Sequence, residues 1–99
     1  MILVIQHKVH DYDAWKPVFD EQEQVRRVHG CIGHHVVRDS DEPTDLTVLL
    51  RFPSREAAED YLAEPSMETA MRRGGVESAL RITWVQEPEI AARGLHEAA

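Results

Sequence analysis

Ile2-Leu3-Val4-Ile5-Gln6-His7-Lys8-Val9-His10-Asp11-Tyr12-Asp13-Ala14-Trp15-Lys16-Pro17-Val18-Phe19-Asp20-Glu21 opens the chain, and a change of hydrophobic period within it decides the fold. Residues 2–5 are apolar without interruption, as in a strand covered on both faces. From Trp15 the apolar positions recur at helical spacing instead. A doubly apolar strand in a chain of 99 residues needs a cover for each face. Helices of the same chain can supply one. The other is most simply supplied by a second copy, which makes an enclosed, His-lined pocket in a homodimer the expected architecture.

Working outward, the pattern predicts a first strand over residues 2–9 and a helix capped by Asp11 or Asp13. A short carboxylate accepts from the free N–H groups of a first turn and suits its positive end. Pro17 is expected near the end of that turn, where a missing N–H costs least. Trp15, Val18, Phe19, Gln22, Val25, Val28 and His29 form the inward stripe, and Gly30 ends the helix. Residues 31–39 and 46–52 read as strands joined by the Asp-, Ser- and Pro-rich turn between them, hence as a hairpin. Ser54 caps a second helix with Ala57, Ala58, Tyr61 and Leu62 inside. Pro65 interrupts it, and residues 66–73 are expected to add a short turn or two. Residues 80–86 form a fourth strand with Leu80, Ile82 and Trp84 on one side.

The order β-α-β-β-α-β is the split βαβ, ferredoxin-like pattern. Right-handed crossovers give an α+β domain over residues 1–87, with an antiparallel sheet in the order 4-1-3-2 and both helices on one face. Residues 88–99 are expected to be a disordered tail or an arm laid on a partner subunit.

Composition narrows the partners. A net charge of −7 argues against nucleic acid and anionic membrane, since phosphate binding needs a basic face. The pairs Arg26-Arg27 and Arg72-Arg73 lie among carboxylates and read as solvated helix surface. Cys31 is the one cysteine, which excludes an internal disulfide and any CxxC motif, and it reads as a small buried hydrophobe. No segment reaches the roughly 20 apolar residues of a membrane span. The short apolar opening has no basic stretch before it, so a cytoplasmic protein is expected.

Six histidines are the unusual count. His10 and His96 are expected in solvent, and His29 at a helix C-terminus where a cation suits the dipole. His7, His34 and His35 remain as candidate catalytic groups. Neighbours on a strand point to opposite faces, so His34 and His35 cannot share an ion, and no HxH or HExxH spacing exists; no metal site is expected. A neutral imidazole in an apolar pocket can instead serve as a general base. Arg38 or Arg51 could hold an enolate or phenolate, unless they pair with Asp39, Asp41 or Asp45. Trp84 or Trp15 could stack on a flat substrate, and Tyr12 and Tyr61 could hydrogen-bond a phenol or carbonyl. Trp15, Phe19, Tyr61 and Leu62 also suit the core between helix and sheet.

Several runs carry a resemblance: His7-Lys8-Val9 with residues 11–21, Arg38-Asp39 with Asp41-Glu42-Pro43, Val48-Leu49-Leu50, Glu56-Ala57-Ala58, and Ala70-Met71-Arg72-Arg73-Gly74-Gly75-Val76. On these the chain resembles the dimeric α/β-barrel superfamily, close to antibiotic-biosynthesis monooxygenases and polyketide cyclases. The resemblance spans about residues 1–87. It implies a cofactor-independent oxygenation or cyclisation of an aromatic, polyketide-type substrate in secondary metabolism, in which a His removes a proton and an Arg or Tyr holds the oxyanion. The chain departs from its relatives at His34-His35, where they tend to carry a small residue followed by Arg. Haem-degrading members rely on an Asn, and this chain has none. A glycine-rich phosphate loop is also lacking, so no nucleotide cofactor is expected. The reading from another class is a non-catalytic module that binds a small apolar or aromatic ligand or only dimerises.

Overall fold

The computed structural model describes residues 1–88. Along the chain run β1 (Ile2–Lys8), α1 (Tyr12–Glu21), α2 (Glu23–Val28), β2 (Gly33–Arg38), β3 (Asp45–Arg51), α3 (Arg55–Leu62), α4 (Pro65–Arg73) and β4 (Arg81–Val85). The four strands make one sheet in the order β2-β3-β1-β4, antiparallel at every pairing. This is the ferredoxin-like α+β arrangement predicted from the sequence. No helix among the described residues is long and apolar enough to cross a membrane.

The caps follow from the local sequence. Asp11 accepts from the Asp13 N–H at 3.1 Å to start α1, and Ser54 accepts from the Ala57 N–H at 3.1 Å to start α3. Pro65 stands in the first turn of α4, where its missing N–H leaves no bond unmade. Gly30, at φ +92°, ends α2: its N–H reaches the Arg27 carbonyl and that of Cys31 reaches the Arg26 carbonyl, both at 2.9 Å. That pairing requires a left-handed residue, which glycine supplies without strain.

Strand register settles which side chains meet the helices. Leu3 lies opposite Leu50 and Trp84, Ile5 opposite Val48 and Ile82, and His7 opposite Leu46. On β2, His34, Val36 and Arg38 pair with the same β3 positions. Paired residues share a face, so this set looks toward the helices. Leu3, Ile5, Leu46, Val48 and Leu50 are buried there against Trp15, Phe19, Phe52, Ala58 and Tyr61. Each fully buried leucine contributes about 1.5–3 kcal/mol over an exposed one. The opposite face carries Val4, Thr47, Leu49, His35, Arg51, Thr83 and Val85, half-buried or exposed.

The structure departs from the expected pattern on one helix. The predicted single helix is two, α1 and α2, broken at Gln22. Pro17 lies in the second turn of α1 rather than the first, so the Asp13 carbonyl has no i+4 donor. Val28, expected inside, is 73% exposed, whereas Arg26, expected in solvent, is 2% exposed. Counting helical turns explains the exchange. Arg26 stands eleven residues after Trp15, almost three whole turns, and seven after Phe19, whereas Val28 falls on the far side. Residues 66–73 prove to be most of a nine-residue helix. Cys31 is half-buried, with its thiol donating to the Gly33 carbonyl at 3.3 Å. The expected tail lies, from residue 89 onward, outside the described residues, as does His96.

A candidate ligand site between sheet and helices

An apolar cavity of about 50 Å³ lies between the helix-covered face of the sheet and the helices. Ile5, Val48 and Leu50 form its sheet side; Trp15, Val18 and Phe19 come from α1, Tyr61 from α3, and Met67, Ala70 and Met71 from α4. Three polar side chains join them, His7, Gln22 and Arg26, beside the phenol of Tyr61. This cavity is formed by one chain alone, on the helix-covered side of the sheet, opposite to the face where a second copy is expected to close a pocket.

Its electrostatics are unusual. Arg26 donates through Nη1 to the Phe19 carbonyl at 2.9 Å, and its guanidinium carbon sits 3.8 Å from the Phe19 ring centroid. The carbonyl belongs to the last turn of α1, where orphan acceptors favour a cation. Arg26 Nη2 has no partner, and among the described residues no carboxylate pairs with the guanidinium. His7 Nδ1 and Gln22 Oε1 are likewise buried and unpartnered. Four such atoms occur among the described residues, and three of them belong to residues lining this cavity. Buried polar atoms are rarely left unmet, so their concentration here makes this cavity the candidate site.

Burial sets the protonation states. Desolvation pulls the His7 imidazole below its ordinary 6.5, so it is neutral at pH 7. Desolvation also pushes the Tyr61 phenol above its ordinary 10, partly opposed by the Arg26 guanidinium. The site therefore holds a neutral base, a neutral phenol and a fixed cation. Around them run aromatic contacts: His7 meets Trp15 edge-on at 5.8 Å, Trp15 stacks on Phe19 at 4.9 Å, and Phe52 packs on Tyr61 at 5.7 Å. His29, the C-cap of α2, is 2.9 Å from the carboxylate of Glu64, the N-cap of α4, and so ties together two helices that contribute to the cavity wall.

The other predicted site residues lie outside this cavity, and His34, His35 and Arg51 line a separate groove of about 250 Å³. His34 lies on the helix-covered face near the edge of the sheet, edge-on to Phe19 at 5.3 Å. Arg38 donates to the Pro43 carbonyl at 3.0 Å and lies 4.1 Å from the centre of the Tyr12 ring, so neither residue lines the cavity. Trp84 is covered by Arg55 at 4.5 Å. His35 and Arg51 are on the helix-free face, Arg51 held by Glu87 at 2.7 Å, a pairing the sequence did not anticipate. His10 is exposed and meets Glu77 at 3.0 Å. The pattern reading missed Arg26 and credited Gln22 only with a place on the stripe.

The family model described as antibiotic biosynthesis monooxygenase matches residues 4–73. The chain belongs to that family. SnoaB, a cofactor-independent oxygenase from Streptomyces nogalater, is similar in structure with a TM-score of 0.69 at 17% identity, over 89% of this chain and 96% of that one. A putative antibiotic biosynthesis monooxygenase from Bordetella bronchiseptica gives a TM-score of 0.74 at 13% identity, over 87% and 95%. The Mycobacterium tuberculosis protein Rv0793 gives 0.64 at 18%, over 92% and 98%. No curated protein matches the sequence. Identities this low establish a shared fold and leave the chemistry to be argued from the site.

Proposed function

We propose that this protein is a cofactor-independent monooxygenase or cyclase that acts on a flat, oxygenated aromatic in the cavity beneath its helices. The observation that carries the reading is the meeting of a neutral imidazole, a buried guanidinium and a buried phenol inside apolar walls. His7 takes a proton from an activated carbon beside a carbonyl, and the enolate oxygen that forms is held by Arg26 and Tyr61. In oxygenation, the carbanion adds dioxygen to give a hydroperoxide, which loses water to leave a carbonyl. A CH₂ group thus becomes C=O, one oxygen atom enters the product and the other leaves as water. In cyclisation, the carbanion adds to a carbonyl of the same molecule and no oxidant is used.

Room is the constraint. Ligand pockets usually offer about 300–1,000 Å³, against about 50 Å³ here. Admission of a ring system requires α4 to swing outward or Met67 and Met71 to change rotamer, and unbranched methionines do so at little cost. A homodimer joined through the half-apolar, helix-free face would leave these walls free to move.

Aerobic turnover of anthrone, whose CH₂ is activated by a carbonyl conjugated through its rings, tests the reading. His7→Gln should lower kcat by about 10²–10⁴-fold, and Tyr61→Phe should lower it by less. Turnover unchanged in His7→Gln would remove His7 as the base.

A further inference from the structure

We infer that Arg26 is a charge-recognition residue and that the cavity accepts its ligand as an anion, an aromatic carboxylate or an ionised phenol. The inference deepens the proposed function by naming the ionic form that the site selects.

A guanidinium that is 2% exposed has surrendered its hydration, and buried cations ordinarily recover that loss through a carboxylate. Arg26 recovers only part of it, through one backbone carbonyl, the face of Phe19 and the neutral Tyr61 phenol beside it. Its second terminal nitrogen remains without an acceptor. The chain does not lack acids: it has eighteen Asp and Glu, yet none of the described ones pairs here. An anionic oxygen from a ligand supplies the missing acceptor and the missing charge together, which a neutral carbonyl does not.

Two neighbours sharpen the preference. Gln22 stands four residues before Arg26, so the two side chains share a helix face, and the unpartnered Gln22 Oε1 can accept from a hydroxyl beside the anionic oxygen. The walls formed by Trp15 and Phe19 favour a flat ring over an inorganic ion. Arg26 also lines an open groove of about 320 Å³ between α2 and the start of β2, with Glu23, Arg27, Cys31, Ile32, Gly33 and His34. Arg26 is thus common to the groove and the cavity.

Benzoate and benzamide have nearly the same shape and differ in charge, so calorimetry with the two compounds isolates the point. The wild-type protein should bind benzoate at least tenfold tighter than benzamide at pH 7. Arg26→Met should abolish that preference while retaining weak binding of both. Arg26→Gln, whose amide can still donate to the Phe19 carbonyl, makes the same comparison if the Met variant misfolds. Equal affinities in the wild type, no binding of benzoate, or a preference that survives in a folded neutral variant would each overturn the assignment. Binding is read without turnover, so the two readings fail separately. Benzoate selectivity with no turnover of any aromatic would remove the enzyme and leave the anion site. Turnover with no charge preference would do the reverse.

Discussion

Replacing Arg26 by methionine separates a residue kept for a ligand from one kept for the fold. The substitution removes one charge-assisted hydrogen bond to the Phe19 carbonyl, 2.9 Å long, which contributes about 1.5–3 kcal/mol. It also removes the contact of the guanidinium with the Phe19 ring at 3.8 Å, about 2 kcal/mol when desolvated. The carbonyl is not orphaned, because the Gln22 N–H still reaches it at 3.2 Å. On the other side stands the desolvation of a cation that is 2% exposed and lacks a carboxylate, several kcal/mol in effect. Methionine fills most of the vacated volume with an apolar chain that also suits an aromatic face. The opposing terms nearly cancel, so Arg26→Met should fold with wild-type stability to within about 1 kcal/mol, or gain up to about 2 kcal/mol. Urea denaturation measures this as a midpoint that holds or rises at constant slope. A loss of more than about 2 kcal/mol, beyond what the imperfectly met cation can explain, would refute the reasoning and make Arg26 a structural cation joining α1 to α2.

Two further predictions follow from the cavity wall and from its base. A Cβ at Gly74 would stand 3.0 Å from Trp15 Cδ1 and 3.2 Å from the Ala70 carbonyl, so Gly74→Ala should destabilise by about 1–3 kcal/mol, measured by thermal melting. His7 has a folded pKa below the 6.5 of the unfolded chain, so its contribution to stability is present above pH 6.5 and lost as pH falls through the folded value. The stability of His7→Leu should therefore fall less steeply than that of the wild type below pH 6.5, in parallel urea titrations; parallel acid limbs would contradict a buried neutral His7.

The fold was legible because period and punctuation agreed. The apolar run of β1, the caps at Asp11 and Ser54 and the stop at Gly30 each carry a local physical reason, and the crossover rule turned them into a strand order. The faces of β1 and β3 were not legible, since both parities are apolar; the helices decide between them by packing on Leu3, Ile5, Leu46, Val48 and Leu50. His7 was found because histidine is conspicuous on an apolar strand. Arg26 was hidden by its charge. A stripe defined by hydrophobicity takes Val25 and Val28 and skips both arginines between them, although the spacing from Trp15 and Phe19 points to Arg26. Reading helical phase before residue type would have placed it inside and raised the question of its counter-ion. His35, Arg38 and Arg51 were chosen on chemical type, and strand parity or local partners carry them away from the cavity.

The account stands on a ligand lying between the helices and the sheet, and the chain has its own reporters there. Of its three methionines, Met67 and Met71 line the cavity, while the Met1 carbonyl is tied to the Phe52 N–H. Methyl NMR spectra recorded while anthrone is added under nitrogen, where oxidation cannot proceed, would locate the bound molecule. The account predicts that the Met67 and Met71 methyl signals move together while those of Met1, Val4 and Leu49 stay. Movement at Val4 and Leu49 with Met67 and Met71 unchanged would place the ligand on the helix-free face and contradict it.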